Sequence, residues 1–401
     1  MLSNITCAYR RVSQVFFAAF LGLIVLNLIM YGCAYSSAFG MRNVLKRYLK
    51  KDAGRRLLTA YEGVYPLQEI YEIMSEGSHV ITPAYEPWTT FKEPPYRGKW
   101  VNVTADGYRL NGQPHQREQP PSVQVFVFGG STTFGYGVKD ADTIPARLEA
   151  ELPNSAVTNY GRGYYYSSLE LMLFLKLLKE GKVPDAAVFI DGLNDTRMLS
   201  RGDIPPHAGT FEQILSKGFY IDERRLPVLL LTEAAGRKAD GLLRWLRHEA
   251  KSTTLPGHAI TQLADRVLHG YQVNRRLIRL IADAYHVKVY FVWQPVPHYA
   301  YNLEHHLFKE AEHHPGHELY ELYHAVYAAM RRDSPGDVVW LGDLFRNQAY
   351  VYVDMHHYNP QANRIIAREI ATVLQTSGAA HSGKEGRHEL SARAQKSSQL
   401  R

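Results

Sequence analysis

Hydrophobic and polar positions give the chain three rhythms. The first is an unbroken apolar run, VFFAAFLGLIVLNLIMY from Val15 to Tyr31, with no charge and one strongly polar residue, Asn27. Extended by Val12–Gln14 and Gly32–Ala34, it reaches the ~20 residues a helix needs to cross a bilayer. A helix buried in a soluble core would usually show a polar face. No small-x-small cleavage site follows the run. In Met30-Tyr31-Gly32-Cys33 the bulky Tyr31 stands where a lipoprotein site needs a small residue, and Arg10-Arg11 lacks the rest of a twin-arginine signal. Residues 1–36 therefore read as a retained N-terminal transmembrane signal anchor.

The second rhythm is irregular and covers residues 37–122. It starts with a basic juxtamembrane stretch, MRNVLKRYLKK, patterned as an amphipathic helix with Leu45, Tyr48 and Leu49 on one side. That pattern suits lipid head groups and plain solvent equally well. Residues 57–122 are rich in Tyr, Pro and Gly, with turn signals at Glu93-Pro94-Pro95 and Asp106-Gly107. They predict short strands and loops that lead into, or wrap, the main domain.

From Val123 apolar runs alternate with helical periodicity. VQVFVFG (123–129) reads as a strand buried on both faces, and AVTNYG (156–161), AAVFIDG (186–192), VKVYFVWQP (287–295) and DVVWLG (337–342) read as further strands. Helical spacing marks SSLELMLFLKLLKEG (167–181), segments near 260–284 and 317–332, and PQANRIIAREIATVL (360–374). Residues 196–258 interrupt the alternation as an inserted loop-and-helix segment. The pattern over 123–375 predicts an α/β fold, a three-layer α/β/α domain with a parallel sheet. Residues 376–401, rich in Ser, Ala and charge, read as a disordered tail.

The formal net charge of +7, from 46 Lys+Arg and 39 Asp+Glu, points first to nucleic acid. Its distribution argues against that partner. Residues 1–36 carry +2, 37–56 carry +6 and 377–401 carry +3, which leaves 57–376 with 32 bases against 36 acids, a net of −4. The basic excess flanks the apolar run and fills the tail, where it bears on anionic lipid and orientation. Arg10 and Arg11 favour a cytoplasmic start, whereas the bases at 42–56 favour the opposite side. The expected arrangement is single-pass, with the body on the extracytoplasmic (periplasmic) side. With 45% hydrophobic and 21% charged residues, a largely disordered chain is excluded. The two cysteines, Cys7 and Cys33, can form neither a disulfide framework nor a four-thiolate zinc site.

Open parallel sheets place ligand sites beyond the carboxyl ends of their strands, and four polar clusters stand out along this domain. The first, Gly129-Gly130-Ser131-Thr132-Thr133-Phe134-Gly135, is not a P-loop, since Tyr136 stands where the lysine belongs. Nor is it a G-x-S-x-G elbow, because Thr133 replaces the second glycine. It leaves a serine at a strand end, a turn residue or a nucleophile. The second and third are Asn159-Tyr160-Gly161 and Asp191-Gly192-Leu193-Asn194-Asp195. Close backbone N–H groups at glycines and an asparagine amide are parts of an oxyanion hole, and equally of simple turns. The fourth is Asp354-Met355-His356-His357-Tyr358-Asn359-Pro360. An aspartate three residues ahead of a histidine can fold back to orient the imidazole, or belong to a surface turn or N-cap.

Taken in order on this α/β rhythm, the four clusters resemble the blocks of the SGNH hydrolase superfamily, the GDSL-type esterases and lipases. The resemblance covers roughly residues 123–375 and implies a flavodoxin-like three-layer fold with a serine esterase activity that needs no cofactor or metal. It implies Ser131 as nucleophile, His357 as general base and Asp354 as its orienting partner. Ser131, Gly161 and Asn194 would supply the oxyanion donors, with Gly192 as the family glycine of the third block. One departure is visible. The first block usually reads Gly-Asp-Ser, and here Gly130 replaces the aspartate.

The resemblance leaves three functions open: hydrolysis of an O-acyl or O-acetyl ester, O-acetyl transfer to an envelope polysaccharide, and a catalytically silent envelope scaffold. The substrate is an acyl or acetyl ester, with a carbohydrate as one option. His298, His305, His306, His313, His314 and His317 form a conspicuous group, but adjacent histidines on a helix point apart and no thiolate joins them, so a solvated polar stretch is expected. Tyr164-Tyr165-Tyr166, beside Gly161, are candidates for a sugar- or acyl-binding wall or for the core.

Overall fold

The computed structural model describes residues 13–26, 52–61, 63–112, 121–152, 154–205, 256–309, 314–333 and 336–377. The chain divides into two units, Met1–Leu58 and Thr59–Arg401. In the first, residues 13–26 form a helix whose apolar side chains, Phe16 and Phe17 among them, are exposed. The rest of the expected anchor and the MRNVLKRYLKK stretch lie outside the described residues. Among the described residues no helix is long and apolar enough to cross a membrane.

The second unit begins with a helix, Leu67–Val80, and two short antiparallel ribbons, β1 (Ala84–Glu86) with β2 (Thr90–Lys92), and β3 (Tyr96–Arg97) with β4 (Asn102–Val103). The helix corrects the expectation of strands and loops alone over 57–122. Ile70, Ile73 and Val80 recur at helical spacing and are buried, a stripe that Ser75, Gly77, Ser78 and His79 obscure in the sequence. Its Glu76 carboxylate accepts the backbone N–H groups of Lys99, Trp100 and Val101 at 3.0, 2.8 and 2.8 Å, tying helix to ribbon.

Five parallel strands make the main sheet: β5 (Val123–Gly129), β6 (Ser155–Asn159), β7 (Ala186–Asp191), β8 (Lys288–Trp293) and β9 (Val338–Trp340). Their order is β6-β5-β7-β8-β9, the doubly wound arrangement in which the first strand lies inside the second. Side chains alternate along each strand, and here the alternation sorts residues by type. Val123, Val125, Val127, Val188, Ile190 and Val292 face the helices Ile144–Glu151 and Pro360–Thr376. Phe126, Phe128, Phe189, Phe291 and Trp293 face Ser167–Lys179, Gly257–Ala284 and Glu318–Arg332. Both faces are covered, which makes three layers. The rings of Phe128 and Phe189 stack at 4.7 Å, and truncating either to alanine is expected to cost about 3–5 kcal/mol.

Arg109 connects the lead-in to this sheet. Its backbone bridges Val103 and Asn159, and its buried guanidinium reaches Asp140 Oδ1 at 2.8 Å and the Val138 carbonyl at 2.6 Å. The loop after β5 is thereby held from the N-terminal side. Of the expected insertion at 196–258, residues 206–255 lie outside the described residues, as do residues 378–401 of the tail.

Candidate active site

β5 ends at Gly129, and Ser131 opens a single helical turn, Ser131–Phe134, that stops at Gly135 in the left-handed conformation. As the first residue of that turn, Ser131 has a backbone N–H with no acceptor inside the helix. Its side chain is almost buried yet reaches the cleft. Ahead of the last helix, Asp354 folds back over its own loop. Asp354 Oδ1 accepts the backbone N–H groups of His356 and His357 at 2.9 and 2.8 Å, and Oδ2 lies 2.6 Å from His357 Nδ1. His357 Nε2 lies 2.8 Å from Ser131 Oγ.

The protonation pattern follows from this chain of contacts. A carboxylate only accepts, so Nδ1 carries the hydrogen and Nε2 presents its lone pair to the serine hydroxyl. Desolvation opposes the Asp354 charge, but the attraction to His357 once that ring is protonated and its hydrogen bond, with His356 and its N–H, hold the carboxyl well below the usual range. The imidazole is braced by Tyr136, edge-on at 5.5 Å, and the loop by buried His306, whose Nε2 lies 3.1 Å from the Met355 carbonyl.

Asn194 stands in the first turn of the helix Leu193–Leu199 that follows β7, and it lines the same cleft as Ser131, Asp354 and His357. Its Nδ2 donates to the Tyr165 carbonyl at 2.8 Å, which leaves one amide hydrogen for the cleft. Beneath it Asp195 accepts the N–H groups of Gly192 and Ser167, each at 3.1 Å, and so clamps the third block to the start of the helix Ser167–Lys179. Burial pushes up the carboxyl groups of Glu170, Asp191 and Asp195, which pack together under this loop.

Gly161 is placed differently from the other four. Its N–H donates to Asn159 Oδ1 at 2.9 Å, and its Cα packs so tightly that an added Cβ would lie 2.5 Å from Phe134 N. The residue that reaches the cleft wall here is Tyr164, three positions after the second block, held at φ +62, while Tyr165 and Tyr166 are buried. The backbone there is supported by buried Glu93, which accepts the Gly163 N–H and, at 3.3 Å, the Tyr136 hydroxyl. Burial pushes the Glu93 carboxyl up to about 7 against the pull of those bonds and of Arg162. Gln294, after β8, accepts from the hydroxyls of Thr132 at 2.7 Å and Tyr358 at 3.1 Å, linking the serine turn to the histidine loop.

Sequence reasoning passed over Glu93, Gln294, Arg197 and Arg201 as site residues, all of which line or brace this site, whereas Tyr164 takes the wall position expected of one of the three tyrosines. Only the two arginines carried a signal there, at spacings of three and seven from Asn194. The conspicuous histidines serve separate tasks. His298 stacks on Tyr323 at 4.3 Å, His306 stacks on Tyr352 at 5.2 Å, and His317 caps a helix by accepting the Leu319 N–H at 3.3 Å. Among the described residues no three His, Cys, Asp or Glu side chains converge as metal ligands.

No protein-family model and no curated protein matches the chain. Solved structures do. They include a member of the lipolytic protein G-D-S-L family from Veillonella parvula, at 12% identity and a TM-score of 0.34, covering 63% of this chain and 98% of that one. The psychrotrophic esterase EstA from Pseudoalteromonas sp. matches at 11% identity and a TM-score of 0.33, over 63% and 97%. A carbohydrate acetylesterase family member from Sinorhizobium meliloti matches at 14% identity and a TM-score of 0.32, over 63% and 98%. Lipolytic proteins and esterases of other organisms thus align with about 63% of this chain over nearly their whole lengths.

Proposed function

We propose that the chain is a serine esterase of the SGNH type that cleaves an O-acyl or O-acetyl ester through an acyl-enzyme. The observation that carries this reading is the continuous hydrogen-bonded chain from Ser131 Oγ through His357 to Asp354. His357 Nε2 takes the hydroxyl proton as Ser131 Oγ attacks the ester carbonyl. The negative charge that forms on the carbonyl oxygen meets the Ser131 N–H and the Asn194 amide. For the second-block donor, the commitment of the Gly161 N–H to Asn159 and the place of Tyr164 on the cleft wall favour the Tyr164 backbone. His357 then protonates the leaving alcohol. Water, deprotonated by the same imidazole, attacks the acyl carbon, and the products are a carboxylic acid and free Ser131. No step calls for a cofactor.

Labelling tests the reading directly. A fluorophosphonate probe is expected to modify Ser131 in the full-length chain, and Ser131→Ala is expected to lose both the label and hydrolysis of 4-nitrophenyl acetate. Full esterase activity in that variant sinks the proposal. The uncharged run Val15–Tyr31, preceded by Arg10 and Arg11, supports a membrane anchor with the esterase domain on the extracytoplasmic side. Protease added to intact cells should then degrade the domain, and protection would place it inside.

A further inference from the structure

The cleft that holds Ser131 and His357 has a volume of about 450 Å3 and an unusual charge. Arg197 and Arg201 line it together with Asn194; Asn194 and Arg197 share one face of the helix Leu193–Leu199, and Arg201 lies in the turn just beyond its end. Arg197 is half-buried and Arg201 exposed. Neither makes an ion pair or side-chain hydrogen bond with another described residue. Among the described residues the only carboxylate lining the cleft, Asp354, is occupied by His357 and two backbone N–H groups. Asp203, two residues beyond Arg201, is exposed and does not line the cleft. Among the described residues neither guanidinium meets a counter-charge, although residues 57–376 as a whole sum to −4.

A half-buried guanidinium without a counter-charge is unfavourable, and its planar fork matches a carboxylate or phosphate. Much of the remaining wall is apolar or aromatic, with Ile81, Met198, Leu319 and Tyr323, and His298 and His356 complete it. We infer that the esterase takes an anionic substrate, an ester whose own molecule bears a carboxylate or phosphate group near the scissile bond, held by Arg197 and Arg201. This inference rests on the proposed esterase reading. The two arginines act as specificity-determining residues and take no part in the acyl transfer.

Three acetyl esters of matched shape test it on the full-length chain: phenyl acetate, 4-acetoxybenzoate and 4-acetoxyphenyl phosphate. The charged esters are expected to exceed phenyl acetate in kcat/KM by about tenfold, the scale of one charge-assisted hydrogen bond, and to lose that lead as salt rises. The better of the two identifies the anion as carboxylate or phosphate. In Arg197→Gln/Arg201→Gln the charged-to-neutral ratio is expected to fall about tenfold, and in the exposed single change Arg201→Gln to fall partway, with benzoate and phenyl phosphate weakened as inhibitors. Turnover of phenyl acetate with no preference for charge, or a preference that survives the double change, overturns this inference alone. No turnover of any of the three overturns the esterase reading and this one with it.

Discussion

Ser131 and His357, 226 residues apart in the chain, meet at 2.8 Å between Oγ and Nε2. In the proposed mechanism the two atoms act on one proton, so their contributions to catalysis are expected not to add. Ser131→Ala and His357→Ala should each lower kcat by roughly 10^4-fold or more, and the double variant should lose no more than the worse single one. Steady-state kinetics with 4-nitrophenyl acetate measure this. Losses that multiply would mean the two side chains work in separate steps.

Asp354 does two things with two oxygens, and substitution can separate them. Asp354→Asn keeps an acceptor for the His356 and His357 N–H groups but cannot fix the hydrogen on Nδ1, so kcat should fall on the order of 10^2- to 10^4-fold with little change in melting temperature. Asp354→Ala removes both functions and is expected to lower the melting temperature as well. Equal thermal stability of the two variants would show that the loop does not depend on the backbone bonds to Oδ1.

Much of this was readable before any coordinates. The strands announced themselves because a parallel strand covered on both faces must be apolar at nearly every position, as in VQVFVFG. The Asp354–His357 turn was readable because a three-residue spacing fixes which side chains can meet. The strand order was not, since nothing local tells Val123–Gly129 that it will lie between β6 and β7. The helix Leu67–Val80 was hidden by weak helix formers on its exposed side. Glu93 and Gln294 were unreadable for a different reason. A buried brace is defined by partners 43 to 162 residues away, and its own neighbours in sequence carry no trace of them. Tyr164 holds φ +62, a conformation that favours glycine, so its residue type gives no sign of a backbone donor in the sequence and Gly161 drew the assignment.

Gly130 stands where the family that this sequence resembles usually has aspartate, and the packing explains why aspartate does not suit this chain. A Cβ at residue 130 would lie 2.4 Å from Asn194 Nδ2 and 3.0 Å from the Tyr165 carbonyl, the two atoms whose bond ties the third block to the loop after Gly161. Gly130→Asp is therefore expected to reduce kcat by roughly 10^2-fold or more through displacement of the Asn194 amide, the scale of one oxyanion donor. Gly130→Ala should lose nearly as much, since the Cβ alone makes the clash. If Gly130→Asp equals or exceeds the native enzyme, Asn194 is not held as described.

The proton on Glu93 gives the protein a pH dependence that can be isolated. Its carboxyl is raised from 4.5 to about 7, chiefly by burial, while the Gly163 N–H, Arg162 and the Tyr136 hydroxyl pull the other way. The folded chain binds this proton more tightly than the unfolded chain. The stability it contributes is fully present below 4.5 and is lost as pH rises through about 7. Other buried carboxyls, Asp140, Asp191 and Asp195 among them, are also raised, so the native curve alone cannot be assigned. The difference between native and Glu93→Gln cancels them. That difference should shift in favour of the glutamine variant by on the order of 3 kcal/mol between pH 5 and pH 8, read by urea unfolding at each pH. Because Glu93 also backs Gly163 and Tyr136, and Tyr136 packs on His357, the native kcat should change across the same interval more than the variant's. Parallel stability curves for the two proteins would mean that Glu93 ionises like an exposed carboxylate and braces nothing.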